Sequence, residues 1–538
     1  MAENPGATRS GTRKRGNALR VGRAVAALAL LVVLLAACNE PPAQEAARAA
    51  SAPVRATLAS AGGPGEMVAA LNAEPVPNRP PPLAAFFRAL DRLEQHDGAP
   101  VYILQLGDSH TAGDYFPGVL RTDFQQRFGD AGRGMMQPGI PFRGIRQSEI
   151  HLVQSGRWVY HNSFSHPEEG PYGITGFTAE SRSAGATISI EALDSEGFDR
   201  VEVGYLRQPK GGALDIEVDG KTLRRIATAG SEHFQRVSLA APKGSHVLLL
   251  RAADKRPVRI LSWSIERHAP GVVVAGFGVS GAAIGLVQRW TPEIVTDEIR
   301  HLNPALIILA YGTNEGFLDD FDEGKYRDTA AATLDFIRRA APNASILLLG
   351  PPDGQHLVPA ACYNRQGSGA EATCVRGSSG GNGCSWVTPR PLATVREIER
   401  REAARVGAAF WDWAAIMGGE CAMHQWGLLD PPLGRADHVH LSAAGYAKSA
   451  DELFQELMQA YDAYRAGEQR RTPPKPDAAV SVSEAPASDF VEIPLPSGER
   501  LGERNAPRLP HERASDAPSP LPSPRRGQGE DAGCYSPP

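Results

Sequence analysis

Five short apolar runs, each closed by Gly, Pro or polar residues, punctuate the middle of the chain: residues 101–106, 272–277, 305–310, 345–349 and 408–411. Runs this short and this continuously apolar read as strands buried on both faces. Between several of them apolar residues recur at helical spacing, as over 114–128, 326–339 and 392–406. Upstream, Leu83, Phe86, Phe87, Leu90 and Leu93 repeat in the same way and predict an amphipathic helix that opens the folded part. Buried strands alternating with helices imply an α/β fold, a parallel sheet with helices on both faces. In such sheets ligands gather at the carboxyl ends of the strands, so the polar residues that close each run are where chemistry is sought.

The gap between the first two runs is too long for one crossover, and its pattern is different. Over 146–268 short alternating segments dominate, such as 187–191, 200–204, 214–218 and 246–251, with Gly-rich turns between them. Period-two alternation with frequent turns predicts an all-β sandwich inserted in the α/β domain. Trp158, Tyr160, His161, Tyr172 and Phe177 offer either a stacking surface for sugar rings or part of that sandwich's core.

The ends of the 538-residue chain read as neither pattern. Arg9, Arg13, Lys14, Arg15, Arg20 and Arg23 precede an apolar run over 24–37. At about 1.5 Å per residue that run spans about 21 Å, short of the ~30 Å bilayer core, so it reads as an export signal and not as a spanning helix. It ends in Leu35-Ala36-Ala37-Cys38, which resembles the lipobox of bacterial lipoproteins, where the Cys is lipidated. An ordinary signal peptide with a chance Cys is the alternative. Ten of the 44 prolines fall within 1–82 and fourteen within 472–538. We therefore expect a disordered tether over 39–82 and a disordered tail over 472–538, with the folded part between them.

The net charge of −5, with no dominant basic block, argues against nucleic acid as the main partner. Apart from Cys38 and the isolated Cys534, four cysteines stand close together: Cys362, Cys374, Cys384 and Cys421. In an exported protein they imply two disulfides, with three pairings open. Zinc is the rival, but the intervals lack a CxxC pair.

Four polar segments carry candidate chemistry. Gly107-Asp108-Ser109-His110 follows the first strand and places a Ser on an exposed turn at the sheet edge, with the N-terminus of the 114–128 helix nearby. Gly278-Val279-Ser280-Gly281 follows the second, where a Gly lets the backbone approach a ligand closely. Gly312-Thr313-Asn314-Glu315 follows the third, where an Asn amide can donate to an oxyanion. Near the domain's end comes Asp437-His438-Val439-His440-Leu441-Ser442, in which Asp437 and His440 can converge on one side of a turn. His438 is the local rival as base. Asp108 reads as a residue that orients the turn, and His424 and Trp426 as cleft lining or core.

The order and spacing of these motifs resemble the SGNH (GDSL-type) hydrolases, whose marker residues are Ser, Gly, Asn and His, with an Asp three before the His. The resemblance covers roughly 98–145 and 269–460. It implies a flavodoxin-like parallel five-stranded sheet, with Ser109 as nucleophile, His440 as base and Asp437 as its orienter. It also implies an oxyanion hole built from the N–H groups of Ser109 and Gly281 and the Asn314 side chain, with no metal and no cofactor. Two departures stand out: GDSH in place of GDSL, and GTNE in place of GxND. Neither removes a marker residue.

GDSH-Thr-Ala, a large β insertion and then GTNE resemble bacterial peptidoglycan O-acetylesterases, in which the insertion is like a carbohydrate-binding module. That resemblance implies an exported serine esterase that takes O-acetyl groups from a cell-envelope glycan, with peptidoglycan as the expected substrate, and is held at a membrane in the periplasm through Cys38. The expected layout is a signal peptide over 1–38, the tether, a hydrolase domain over 83–145 and 269–470, the module over 146–268, and the tail. Other readings are an esterase or acetyltransferase for another acetylated polysaccharide or a lipid, and a non-catalytic glycan-binding lipoprotein.

Overall fold

The apolar runs become strands because each is covered from both sides. The computed structural model describes residues 81–96, 99–142, 145–359, 373–374 and 384–471. Strands Val101–Gly107, Val272–Gly278, Leu306–Ala310, Ser345–Gly350 and Ala409–Asp412 pair in parallel. Numbered along the chain, their spatial order is 2-1-3-4-5, the flavodoxin-like arrangement.

Alternate residues of each strand enter two different cores. Ile103, Val274, Ile308 and Leu347 face helices Ala84–Glu94, Tyr115–Phe128 and Ala443–Arg471, packing with Phe86, Phe116 and Leu453. Leu104, Ala275, Leu309 and Leu348 face helices Pro292–Leu302, Glu323–Ala340 and Arg390–Val406, packing with Val295, Ile337 and Val395. The opening helix buries the residues its spacing predicts: Phe86, Phe87, Leu90 and Leu93.

The alternating segments form two antiparallel sheets. One runs His233–Ser245, Phe198–Arg207, Val258–Glu266, Phe177–Ser181, Val159–Asn162. The other runs Ile150–Ser155, Thr187–Ala192, Val247–Ala252, Ala213–Val218, Lys221–Ala227. Their buried faces share one hydrophobic cluster, which includes Ile188, Val203, Leu250, Ile260 and Trp263. Strand Gly132–Met136, which the sequence reading leaves with the hydrolase part, pairs with Val258–Glu266 and so joins the first of these sheets.

The two parts are tied together by buried polar contacts. Glu298, from helix Pro292–Leu302, accepts the N–H of Ile174 at 2.7 Å and the hydroxyl of Ser262 at 3.3 Å. Trp263 donates its indole N–H to the carbonyl of Gln137 at 2.8 Å, and the Gln137 amide donates to the carbonyl of Gly278 at 3.2 Å. The antiparallel sheets therefore rest directly on a strand end of the parallel sheet.

Among the described residues no helix is long and apolar enough to cross a membrane. Cys38, the signal and nearly all of the tether, the tail, Cys362 and Cys534 lie outside the described residues. Cys421 is disulfide-bonded.

Candidate active site

The first strand ends at Gly107, where only a hydrogen fits. A Cβ there would lie 2.1 Å from the hydroxyl of Thr111 and 2.6 Å from the carbonyl of Ala310. The chain then turns at once into the short helical segment Ser109–Ala112, capped by Asp108, whose Oδ1 accepts the N–H of His110 at 2.9 Å. Ser109 is thus the first residue of a helical turn, and its N–H has no partner within that turn. Asp108 is almost fully buried, and burial pushes its carboxyl up to about 7, against the lowering effect of the His110 N–H. It holds the turn, as the sequence reading assigns it.

Parallel register sets Gly107 beside Gly278 on one side and beside Ala310 on the other. The segments that follow these three strands therefore leave one sheet edge, spaced about 4.8 Å apart per strand. The second segment brings Gly281, exposed and at φ +80, a left-handed conformation that side chains rarely adopt. The third brings Asn314, whose amide donates one N–H to the carbonyl of Ala282 at 2.8 Å. That bond fixes the amide against the Gly281 loop and leaves its second N–H for another acceptor.

Glu315 ties the same two segments from below. Its Oε1 accepts the N–H of Ile284 at 2.7 Å, and burial raises its pKa. The GTNE departure thus supplies a brace between the second and third segments. The sequence carries no signal for this role, because Ile284 is distant along the chain.

The Asp–His segment closes over the Ser. His440 Nε2 lies 2.9 Å from Ser109 Oγ, and His440 Nδ1 lies 2.9 Å from Asp437 Oδ2. Asp437 Oδ1 accepts the backbone N–H groups of Val439 at 3.0 Å and of His440 at 2.9 Å. Burial would raise the Asp437 pKa, but the His440 side chain and these two N–H groups outweigh it and hold the carboxyl well below its usual range. An ionised carboxylate can only accept, so the proton of His440 sits on Nδ1 and the Nε2 lone pair faces the Ser109 hydroxyl.

His438 points elsewhere. Its Nε2 lies 3.0 Å from His424 Nδ1, its Nδ1 lies 3.1 Å from the carbonyl of Ala436, and its ring stacks on Trp386 at 3.6 Å. Both nitrogens are engaged away from Ser109. His424 and Trp426 are buried, and Trp426 donates to the carbonyl of Met417 at 3.0 Å.

A further histidine escaped sequence reasoning. His110 is buried behind His440 with ring centroids 5.4 Å apart, and its Nδ1 lies 3.0 Å from the hydroxyl of Tyr446. Burial, then the neighbouring His440, lowers its pKa to about 3, so it packs as a neutral ring. Its one sequence signal was its place beside Ser109.

The aromatic residues offered as a sugar platform divide. Trp158, Tyr172 and Phe177 are buried and belong to the core, while Tyr160 and His161 are partly exposed. Tyr160 is engaged with Gln154 at 2.5 Å and with the N–H of Ile140 at 2.8 Å. His166, Glu168 and Glu169 bring metal-ligating atoms within 4.8 Å of one another, but all three are exposed, and Glu169 is paired with His161 at 2.5 Å. A cavity of about 590 Å³ between Phe234 and Ile294 shares no residue with the Ser109 cluster.

A Ser, a His and an Asp in one hydrogen-bonded chain, beside backbone and amide donors at the edge of a 2-1-3-4-5 sheet, form the arrangement that serine hydrolases use, and it is similar to that of the SGNH class. Residues 238–448 match the GDSL-like lipase/acylhydrolase family. The match begins after the strand that leads to Ser109, which the antiparallel sheets separate from the rest of the domain.

The chain is similar to the GDSL lipase Rv0518 of Mycobacterium tuberculosis, with 24% identity over 182 residues. That alignment covers 33% of this chain and 59% of the relative, so the chain spans less than two thirds of its length. Among solved structures, it is similar to a peptidoglycan O-acetylesterase at 26% identity and a TM-score of 0.57. That likeness covers 71% of this chain and 97% of the other.

Proposed function

We propose that the protein is an exported serine esterase that removes O-acetyl groups from a cell-envelope glycan, peptidoglycan in the first place. The observation that carries this reading is the unbroken chain Ser109–His440–Asp437 at 2.9 Å per link. The substrate class is supported by the likeness to a peptidoglycan O-acetylesterase, which extends over most of the chain.

In this reading His440 Nε2 takes the Ser109 proton as Oγ attacks the acetyl carbonyl. Asp437 stabilises the imidazolium that forms. The oxyanion is held by the N–H groups of Ser109 and Gly281 and by the free N–H of Asn314. Collapse expels the sugar alcohol, which leaves with the proton from His440. Water, deprotonated by the same imidazole, then attacks acetyl-Ser109, and acetate leaves as Ser109 regains its proton. General-base work of this kind contributes about 10²–10⁴-fold. Every proton has a side chain to hold it, so the sequence of steps needs no metal or organic cofactor.

Water as the second acceptor is favoured over a second sugar by the openness of the site: the side chains of His440 and Asp437 are 34% and 48% exposed. In the same proposal the antiparallel sheets are a glycan-binding module, and Cys38 anchors the chain to a membrane facing the periplasm. The test is acetate release from O-acetylated peptidoglycan, compared with acetylated xylan and a long-chain acyl ester. Peptidoglycan should be the best substrate, and activity confined to the long-chain ester would overturn the glycan assignment.

A further inference from the structure

One exposed aromatic residue lies against the oxyanion loop. A Cβ built on Gly281 would lie 3.4 Å from Cζ and 3.8 Å from Cε1 of Phe164, which belongs to the antiparallel part of the chain. Phe164 keeps 39% of its surface exposed. A single exposed apolar side chain is ordinary on a protein surface and means little alone. Here two further facts set it apart: its position beside a marker residue of the site, and the rigidity of its backbone.

The segment that carries Phe164 is fastened on every side. The buried Ser163 donates its N–H to the carbonyl of Gly176 at 3.0 Å, and its hydroxyl accepts the indole N–H of Trp290 at 3.1 Å. Arg289 donates to the carbonyl of Phe164 itself at 2.9 Å. Asn162 accepts the N–H of Ser165 on its side chain at 2.8 Å and the N–H of His166 on its carbonyl at 3.0 Å. Arg289 and Trp290 close the short helical turn Ile284–Arg289 that follows the Gly281 loop, so the backbone that carries the ring is fixed relative to that loop. A ring held in place before binding loses little freedom when a ligand covers it.

We propose that Phe164 contacts the substrate and selects a pyranose ring as the alcohol part of the ester, by stacking against its apolar C–H face. This rests on the glycan-esterase reading above. When the acetyl carbonyl points at the Gly281 N–H, the esterified alcohol lies within a few ångströms, where the ring stands. Beside the Gly281 loop, the residues that flank Phe164 in its turn or bond to it are polar: Asn162, Ser165, His166 and Arg289. That surround suits a sugar, which brings one apolar face and a rim of hydroxyls. It does not suit an acyl chain, which needs an apolar trough.

The test compares the wild-type chain with Phe164→Ala, Phe164→Leu and Phe164→Tyr, on an O-acetylated peptidoglycan fragment and on ethyl acetate, an ester with no ring to stack. The quantity read is kcat/KM for the glycan divided by kcat/KM for ethyl acetate. Phe164→Ala should lower this ratio about tenfold, the effect of roughly 55 Å² of lost apolar contact, and Phe164→Leu should lower it by a smaller factor, because a branched side chain keeps apolar area but offers no flat face. The loss should fall mainly on KM, and Phe164→Tyr should restore the ratio. An unchanged ratio in Phe164→Ala overturns the assignment. So does an equal loss on both esters, which would make the ring a prop for the oxyanion loop. So too does a Phe164→Leu variant as good as wild type, which would show apolar bulk and not a flat face at work. If wild type cleaves ethyl acetate but frees no acetate from any acetylated glycan, the functional reading itself falls, and the role of Phe164 with it.

Discussion

Replacing Asp437 by Asn should harm the enzyme more than replacing it by Ala. Asp437 Oδ1 accepts two backbone N–H groups, those of Val439 and His440, while Oδ2 faces His440 Nδ1. In Asp437→Asn the amide oxygen must keep the two N–H donors, because an NH₂ there would meet them donor to donor. The NH₂ then faces His440 Nδ1 and donates to it. The ring proton moves to Nε2, and Ser109 loses its proton acceptor. Asp437→Ala removes the charge but leaves the imidazole free to adopt the useful tautomer.

The magnitude follows from the 2.9 Å contact between Asp437 and His440. Two unit charges at that distance interact by about 1.4 kcal/mol at the dielectric constant of water and about 5.7 kcal/mol at an effective value of 20. Both side chains are one third to one half exposed, so screening places the effect in the lower half of that range, about 2–3 kcal/mol. Asp437→Ala should therefore lose about 10²-fold in kcat. Asp437→Asn adds the tautomer inversion and should lose about 10³–10⁴-fold, the scale such a change reaches in a Ser-His-Asp triad. The assay is hydrolysis of p-nitrophenyl acetate at neutral pH under saturating substrate. An Asn variant more active than the Ala variant would refute the tautomer argument.

Other residues give independent checks. Asn314→Ala should lower kcat about 10²–10³-fold with little change in KM, because its free N–H is assigned to the oxyanion and not to the ground-state ester; a change confined to KM would remove it from the hole. Glu298, buried where helix Pro292–Leu302 meets the antiparallel part, has its pKa raised from 4.5 to about 7 by burial. Between those values the folded state keeps a proton that the unfolded chain releases, so stability falls as pH rises through the window, by an amount on the order of 3 kcal/mol. Glu298→Gln keeps an acceptor for the Ile174 N–H and carries no charge, so its urea midpoint should depend less on pH between 4.5 and 7 than that of wild type; equal slopes would show that Glu298 is ionised in the fold.

The parallel sheet was legible in the sequence because its strands are covered on both faces, which writes five unbroken apolar runs into the chain. The opening helix was legible for the same reason, in the spacing of Phe86, Phe87, Leu90 and Leu93. Strand Gly132–Met136 was not. Its sequence, Gly-Arg-Gly-Met-Met, has neither alternation nor β-branched residues and reads as a loop, and it is a strand because Trp263–Glu266 pairs with it. The sequence left the aromatic residues open between a sugar platform and core: Trp158 is core between the two antiparallel sheets, while Tyr172 and Phe177 are core against the parallel sheet's helical layer, beside Val295 and Ile299.

The meeting of Ser109, Asp437 and His440 was legible because each stands beside a strand end or a turn with a characteristic neighbour, and so was the arrival of the Gly281 and Asn314 loops at the same strand ends. The choice of His440 over His438 could be made from the three-residue spacing to Asp437, and the structure turns His438 toward His424 and Trp386. Glu315, His110 and Tyr446 act through partners far along the chain, and no local pattern marks such contacts. Phe164 is of the same kind, since its neighbour Gly281 lies on the far side of the inserted sheets.

The central claim is that an acetyl group passes through Ser109, and the most direct test is to look for it there. Wild-type protein mixed with O-acetylated peptidoglycan and quenched in acid within its first turnovers should yield a tryptic peptide carrying one acetyl group on Ser109, and Ser109→Ala should yield no adduct and release no acetate. Acetate released at the wild-type rate by Ser109→Ala, or an acetyl group on any other residue in its place, would contradict the account.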